Sequence, residues 1–380
     1  MLHRHDDFDG DGDDQSSDQG FSYIAGAQCE GLSSGATPLR LIGGRGRSIH
    51  MTFSLSTVAG PASNGLIPTS LPKRVIFTGP EIFGGAEIRR LTAAGYAIRV
   101  VERHDRTAGE DDTARLASLL RQDTDIDWLG SWFLCADAAD IEMAWRMRVK
   151  SILLRIGQQS TALSTPPEFE CPDVAAAARF ILDLWPAIEP RAAAIGAHIN
   201  PGETVAIAGA ARTGKSSWAS ALALTLRARG RPAVVIGLDG WICDISRRPA
   251  DATVRERYDM EGLAALARTL RHEDGVTVPL YDRLTRTRRS AYRAPVDGQD
   301  IIILEGVVAL MVKDIEKIAA HRIFVQQSEA ARHQTMLADY LSRGYAPAEF
   351  ERLYRRRLAD EMPFVLESRE HATIVIDAIK

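Results

Sequence analysis

The chain has 380 residues, of which 45% are hydrophobic and 25% are charged, so its length favours two domains that each bury a core. Its formal net charge is −4, and residues 1–20 hold seven Asp against one Arg. The remainder is nearly neutral, which argues against a protein that coats nucleic acid. The four cysteines are widely separated, and no apolar run is long enough to span a membrane. We therefore expect a cytoplasmic protein with neither a nucleic-acid nor a membrane partner.

The first half of the chain contains a tail and then an alternating pattern. Residues 1–72 are rich in Gly, Ser and Asp without a regular hydrophobic period, which predicts a disordered acidic tail. Residues 73–190 alternate between short apolar runs and amphipathic stretches, which predicts a smaller α/β domain with a parallel sheet. The predicted strands are 74–77, 96–101, 132–135 and 151–155, and the predicted helices are 86–94, 113–122, 140–149 and 174–184. Pro186 and Pro190 favour a break between the domains at this point.

The second half, residues 193–380, repeats the strand–helix alternation. The predicted strands are 204–208, 233–237, 300–304, 322–325 and 373–376, and the predicted helices are 214–229, 261–271, 330–342 and 347–361. Five apolar strands separated by helices predict a five-stranded, mostly parallel, doubly wound sheet. Such a sheet binds its ligand at the carboxyl ends of the strands.

A glycine-rich motif stands between the first strand and first helix of this second half. It has the pattern G-x-x-x-x-G-K-[ST], in which backbone N–H groups and a helix N-terminus surround phosphate. The Lys215 ammonium adds charge near the β and γ phosphates, and the Ser216 hydroxyl can bind Mg²⁺. The predicted nucleotide-binding residues are Gly209, Ala210, Ala211, Arg212, Thr213, Gly214, Lys215, Ser216 and Ser217.

Two carboxylates follow neighbouring strands. Glu305 ends the run 301–304, and we expect it beside Ser216 at a metal ion. Asp239 follows the strand 233–237, where it can accept or orient the proton of an acceptor hydroxyl. The alternatives are a solvated strand-end Glu305 and a turn-forming Asp239 before Gly240.

Residues 200–380 resemble the uridine kinase-like family of P-loop kinases, which includes pantothenate kinase and phosphoribulokinase. Five segments carry this resemblance, in order: Gly209–Ser216, Gly237–Asp239, Arg257–Leu263, Val278–Asp282 and Leu304–Leu310. The resemblance implies the P-loop kinase fold with ATP as the phosphoryl donor. It also implies Asp239 as catalytic base, Glu305 with Ser216 at Mg²⁺, and Asp259 with Tyr281 near the acceptor.

The acceptor itself stays open. Uridine kinases have a base-contacting His at the position where this chain has Arg286. A nucleoside is therefore one acceptor, and a sugar, a polyol or a pantothenate-like alcohol is another. We include Arg286 among the predicted substrate-binding residues.

The arginines of the family's lid helix are partly replaced in this chain. The similar stretch, residues 332–343, retains Arg343. Arg352, Arg355 and Arg356 lie at helical spacings of three and four on the following helix, so they can share a face. We expect Arg343 and Arg355 to stabilise the charge that develops during transfer, and a solvated basic face is the alternative.

Residues 73–190 resemble phosphatases of the HAD type, most clearly over residues 131–145 and 149–154. Those enzymes attack with an Asp that follows the first strand, where this chain has Thr78, Gly79 and Pro80. Covalent phosphoryl transfer cannot begin without that nucleophile. The resemblance implies a degenerate, non-catalytic HAD-like domain used for packing, assembly or ligand sensing.

Taken together, the sequence predicts an ATP- and Mg²⁺-dependent kinase that phosphorylates a hydroxyl of a small metabolite, with a homo-oligomer as a possible state. A nucleotide-binding regulatory or scaffold protein is the alternative, because the lid arginines and the HAD nucleophile are depleted. The guanine-reading motif N-K-x-D does not occur, which disfavours a GTPase.

Overall fold

The computed structural model describes residues 72–82, 85–101, 125–155, 166–249, 251–272, 274–282, 285–342 and 344–378, with positions 118, 120 and 122. The tail predicted over residues 1–72, apart from its last residue, lies outside these ranges. Most of the helix predicted over residues 113–122 lies outside them as well.

The first half forms a parallel sheet. Its elements in chain order are β1 (Val75–Thr78), α1 (Ala86–Ala93), β2 (Ala97–Val100), β3 (Trp132–Cys135), α2 (Ala138–Met147), β4 (Lys150–Leu154) and β5 (Phe169–Cys171). The strand order is β2-β1-β3-β4-β5, and all neighbours are parallel. Every residue of β1, β3 and β4 is buried, and β1 and β3 were predictable from their apolar runs. Strand β5 was not predicted, because it has only three residues, with an exposed Glu170 at its centre.

A continuous helical segment follows β5. It consists of α3 (Val174–Arg179), a π-helical turn (Phe180–Leu184) and α4 (Trp185–Gly196). Pro186 and Pro190 therefore do not end a helix. Pro186 lies in the first turn of α4, where a proline is well tolerated, and Pro190 lies inside the helix. The division of the chain into two domains stays a prediction.

The second half forms the larger sheet. Its elements in chain order are β6 (Thr204–Ala208), α5 (Lys215–Ala228), β7 (Ala233–Gly237), α6 (Met260–Thr269), β8 (Gly275–Asp282), β9 (Thr287–Pro295), β10 (Ile301–Glu305), α7 (Lys313–Ile318), β11 (Ala319–Gln326), α8 (Glu329–Ser342), α9 (Pro347–Glu370) and β12 (Ile374–Asp377). The strand order is β12-β11-β6-β10-β7, and all neighbours are parallel, which confirms the predicted five-stranded sheet.

An antiparallel hairpin, β8 with β9, lies outside this sheet. It was not predicted, because β9 carries three Arg and β8 is interrupted by Pro279. Helix α9 was predicted to end at Glu361, yet it continues through Pro363 to Glu370.

One hydrophobic core runs through both halves. Trp132 of β3 and Trp185 of α4 pack edge to face, with ring centroids 5.1 Å apart. The same cluster of buried side chains includes Trp218 and Leu222 of α5 and Val205 of β6. The helix that follows the glycine-rich motif is therefore held from both sides. No helix in the described part of the chain combines the length and hydrophobicity that a membrane span requires.

Candidate active site

The glycine-rich loop turns from β6 into α5 at the carboxyl edge of the larger sheet. Gly209 has a φ of 148°, and a Cβ atom there would lie 2.3 Å from the carbonyl oxygen of Val325, so no other residue fits. Lys215 is only 7% exposed, and its Nζ donates a hydrogen bond to the carbonyl oxygen of Ala210 at 2.7 Å. The loop thus places an ammonium group beside the N-terminus of α5, an arrangement that suits phosphate.

The two residues predicted at the metal ion lie together. Strands β6 and β10 are neighbours, and the Ser216 hydroxyl donates to Oε1 of Glu305 at 3.1 Å. Hydroxyl and carboxylate oxygens fit Mg²⁺, which takes one or two protein carboxylates together with phosphate and water ligands. No group of three or more His, Cys, Asp or Glu side chains in the described residues could hold a metal. Ser216 and Glu305 are therefore suited to a metal that arrives with a phosphate group.

Asp239 follows β7 in the short 3₁₀ turn Leu238–Trp241. Its Oδ1 accepts a hydrogen bond from the Tyr258 hydroxyl at 3.0 Å. Burial, together with the neighbouring Asp239 carboxylate, raises the pKa of Tyr258 well above its ordinary value. The hydroxyl therefore stays protonated and keeps donating, which fixes the orientation of Asp239. Sequence analysis did not identify Tyr258 as a site residue, although it lies in one of the segments that carry the resemblance.

The hairpin forms a second wall of the site. A Cβ atom on Gly240 would lie 2.0 Å from the carbonyl oxygen of Pro279, so β8 passes directly over the turn that carries Asp239. Tyr281 of β8 and Tyr292 of β9 both line the resulting cleft. Burial, with a contribution from the Glu305 carboxylate, raises the pKa of Tyr292 to about 12.

The predicted acceptor residues separate into two groups. Tyr281 and Arg286 line the cleft, and the Arg248 guanidinium donates a hydrogen bond to the Tyr281 hydroxyl. Asp259 does not line the cleft. Its Oδ1 instead accepts from the backbone N–H of Gly262 at 2.8 Å and caps α6, and its Oδ2 lies 3.5 Å from Arg288.

The arginines that line the cleft differ from those predicted to stabilise the transferring phosphate. Arg343 lies outside the described residues. Arg355 is exposed and does not line the cleft, whereas Arg356 and Arg357 do. Helix α8 reaches the glycine-rich loop through an ion pair between Asp339 and Arg212.

Helix α9 reaches the same loop through Glu361, which is only 4% exposed. Its Oε1 accepts the backbone N–H of Ala211 at 3.0 Å, and its Oε2 lies 3.8 Å from Nη2 of Arg257. The same guanidinium nitrogen lies 2.9 Å from Asp360. No motif marks Glu361 in the sequence, because the contact joins residues 150 positions apart.

Both halves of the chain line one cleft of about 2430 Å³, which has room for more than one small ligand. Trp145, Arg155 and Cys171 from the first half lie along it together with the glycine-rich loop. The Ser220 hydroxyl of α5 donates to the carbonyl oxygen of Glu168 at 2.6 Å, which links the two halves next to this cleft.

Comparisons with known proteins bear on this site. Residues 204–380 match the family model "Phosphoribulokinase / Uridine kinase family". A uridine kinase of Halobacterium salinarum is 27% identical over 187 residues, which cover 46% of this chain and 80% of that protein. A uridine kinase of Leuconostoc citreum is 27% identical over 135 residues, which cover 34% of this chain and 63% of that protein, less than two thirds of its length. These matches support the P-loop kinase family for the second half of the chain.

Among solved structures, the chain is similar to a putative fructose transport system kinase from Silicibacter sp. TM1040. The TM-score is 0.40 at 22% sequence identity, and the match covers 49% of this chain and 98% of that one.

Proposed function

We propose that this chain is an ATP- and Mg²⁺-dependent phosphotransferase that moves the γ-phosphate to a hydroxyl of a small metabolite, a nucleoside or a similar alcohol. The observation that carries the proposal is the convergence of three features at one sheet edge. They are the buried Lys215 ammonium, the Ser216–Glu305 pair and the Asp239–Tyr258 pair. The match to kinase relatives over the same residues supports it.

Each feature has a role in this proposal. Lys215 and the first turn of α5 bind the triphosphate and offset its charge. Mg²⁺, which Ser216 and Glu305 would hold, supplies further charge compensation on the transferring phosphoryl group. Asp239, oriented by Tyr258, accepts the proton of the acceptor hydroxyl.

The arginines of the lid complete the proposed site. Arg356 and Arg357, which line the cleft, stabilise the charge that develops during transfer, and the predicted Arg343 and Arg355 belong to the same proposal. Asp259 acts indirectly in this proposal, since it caps α6 and does not line the cleft.

The first half of the chain has a non-catalytic role in the proposal. Thr78, which ends β1 where HAD phosphatases carry their nucleophile, is fully buried. The full chain with Lys215→Ala, incubated with sugar phosphates and Mg²⁺, is expected to release no phosphate. Turnover by that variant would contradict the non-catalytic HAD-like assignment.

The proposal is tested by a screen of nucleosides, sugars and pantothenate-like alcohols with ATP and Mg²⁺, scored by product mass. We expect one class of acceptor to gain a phosphoryl group, and Asp239→Asn to abolish that gain. The alternative, a nucleotide-binding regulatory or scaffold protein, predicts ATP binding by calorimetry with no phosphorylated product from any acceptor.

A further inference from the structure

Arg248 lines the part of the cleft that contains Tyr281, and its guanidinium group is held by neutral hydrogen-bond partners. Arg248 is half-buried, and its Nε donates to the carbonyl oxygen of Cys243 at 2.6 Å. Its Nη2 donates to the Tyr281 hydroxyl, and its guanidinium carbon lies 5.4 Å from the centroid of the Tyr281 ring. These contacts fix the side chain in one orientation and leave part of its fork of five N–H donors for a ligand.

Several other arginines that line the cleft have acidic partners. Arg212 pairs with Asp339, and Arg257 pairs with Asp360. In the described part of the chain, no carboxylate lies within ion-pair distance of Arg248. A half-buried cation without an anion nearby is unfavourable, because burial removes part of its hydration. A ligand anion bound to Arg248 would compensate for this lost hydration.

A second arginine lies nearby. Arg286 is exposed, lines the cleft, and has no acidic partner among the residues that the structure describes. The carbonyl oxygen of Arg286 accepts the backbone N–H of Ile245 at 3.0 Å, so Arg286 and Arg248 are anchored to the same short segment, residues 243–245. Arg248 and Arg286 therefore belong to the part of the cleft that contains Tyr281, which Asp282 also lines.

The segment that holds Arg248 and Arg286 is close in the chain to the turn that carries Asp239. The segment 243–245 directly follows the turn that carries Asp239, and the backbone N–H of Ile242 donates to the carbonyl oxygen of Asp239 at 3.1 Å. Strand β8, which carries Tyr281, passes over the same turn at Gly240. Asp239 and Arg248 therefore line neighbouring parts of the same cleft.

We propose that Arg248, assisted by Arg286, binds an oxyanion of the acceptor, so that the acceptor is an alcohol that also carries a carboxylate or a phosphate. This inference rests on the proposed kinase function and narrows its acceptors from small alcohols in general to anionic ones. A guanidinium fork matches the two oxygens of either anion, which makes the pair both strong and directional.

The test uses acceptors that differ only in the anion. Glycerol is compared with D-glycerate, and D-ribose with D-ribose 5-phosphate, at fixed ATP and Mg²⁺, with products identified by mass. We expect at least one anionic member to exceed its neutral partner more than tenfold in kcat/KM. The glycerate and ribose phosphate arms distinguish carboxylate from phosphate recognition.

Variants then assign the effect to Arg248. We expect Arg248→Met to lower kcat/KM for the anionic acceptor roughly ten- to a hundredfold and to lower it far less for the neutral acceptor, because only the anionic acceptor loses a hydrogen bond to a charged group. Arg248→Lys is expected to keep only part of the wild-type kcat/KM for the anionic acceptor, since an ammonium group cannot donate two parallel hydrogen bonds to one anion. Arg247→Met is the matched control, because Arg247 is exposed and does not line the cleft.

Two results would overturn the proposal: a neutral acceptor that equals or exceeds its anionic partner in both pairs, or equal behaviour of Arg248→Met and Arg247→Met. Calorimetry separates these results from a failure of the kinase proposal. If ATP does not bind, the proposed function fails. If ATP binds without turnover, titration with D-glycerate and D-ribose 5-phosphate decides, and equal affinity of the wild type and Arg248→Met for both compounds refutes the anion site.

Discussion

Glu361 links the long helix α9 to the glycine-rich loop, so its removal is a sharp test of how this site is built. Glu361→Ala deletes the oxygen that accepts the Ala211 N–H at 3.0 Å and the oxygen that lies 3.8 Å from Arg257. Arg257 keeps its partner Asp360 at 2.9 Å, so the guanidinium charge stays compensated. The main loss is therefore the hydrogen bond to the loop.

The expected magnitude follows from burial. Glu361 is only 4% exposed, which leaves little room for water to replace the carboxylate. A hydrogen bond to a charged group contributes about 1.5–3 kcal/mol, and the Ala211 N–H is only partly buried, so the lower half of that range applies. We expect Glu361→Ala to lower the free energy of unfolding by about 2 kcal/mol. Glu361→Gln keeps an acceptor oxygen, and we expect it to cost less than about 1 kcal/mol.

The measurement is urea denaturation followed by circular dichroism, in which a change of midpoint at constant slope reports a change of stability. The matched control is Glu367→Ala, which removes an exposed carboxylate from the same helix and is expected to shift stability by no more than about 0.5 kcal/mol. ATP binding by calorimetry is expected to weaken in Glu361→Ala more than in Glu361→Gln. If Glu361→Ala matched Glu367→Ala in both measurements, the link between α9 and the loop would have no energetic role.

Three further predictions address the catalytic residues and the buried amine of the first half. Lys215→Ala is expected to weaken ATP binding at least tenfold in calorimetry without changing the circular dichroism spectrum, and unchanged binding would remove the phosphate assignment. Tyr258→Phe is expected to lower kcat while the Kd for ATP stays constant, since only Asp239 loses a donor; a loss confined to ATP binding would contradict this role. Burial lowers the pKa of Lys150 from 10.5 to about 8, so between these values the unfolded state binds more protons and stability rises with pH, by up to about 3 kcal/mol. Denaturation from pH 7 to pH 10.5 checks this against Lys150→Met, and parallel pH profiles of the two proteins would refute it.

The predictable parts of this fold are those with strong local signals. Strands β3, β6 and β7 have the predicted bounds, because buried parallel strands require uninterrupted apolar runs. The loop before α5 was recognisable for a similar reason, since its glycines and Lys215 are adjacent in the chain. The pairing of Ser216 with Glu305 followed from the rule that parallel strands bring their carboxyl ends to one edge.

The parts that were missed lack such signals. In the hairpin, β9 carries three Arg and β8 carries Pro279, which packs on Gly240, so neither strand has the sequence of an uninterrupted apolar strand. The continuous helical segment through Pro186 and Pro190 was not predicted, because Pro186 lies in the first turn of α4, where a proline is tolerated. The predicted Asp259 lies off the cleft because it caps α6.

The residues proposed to bind phosphate and metal could be predicted from short stretches of sequence, because they are consecutive in the chain or follow adjacent strands. The residues that orient these groups or hold the loop in place could not be predicted in this way. Tyr258, Arg248 and Glu361 are the clearest cases. Each acquires its role from a partner far away in the chain, such as the Ala211 amide that lies 150 positions from Glu361. Such contacts exist only once the helices and the hairpin have packed around the sheet, because hydrogen bonding at the site depends on which side chains that packing brings within 3 Å of each other.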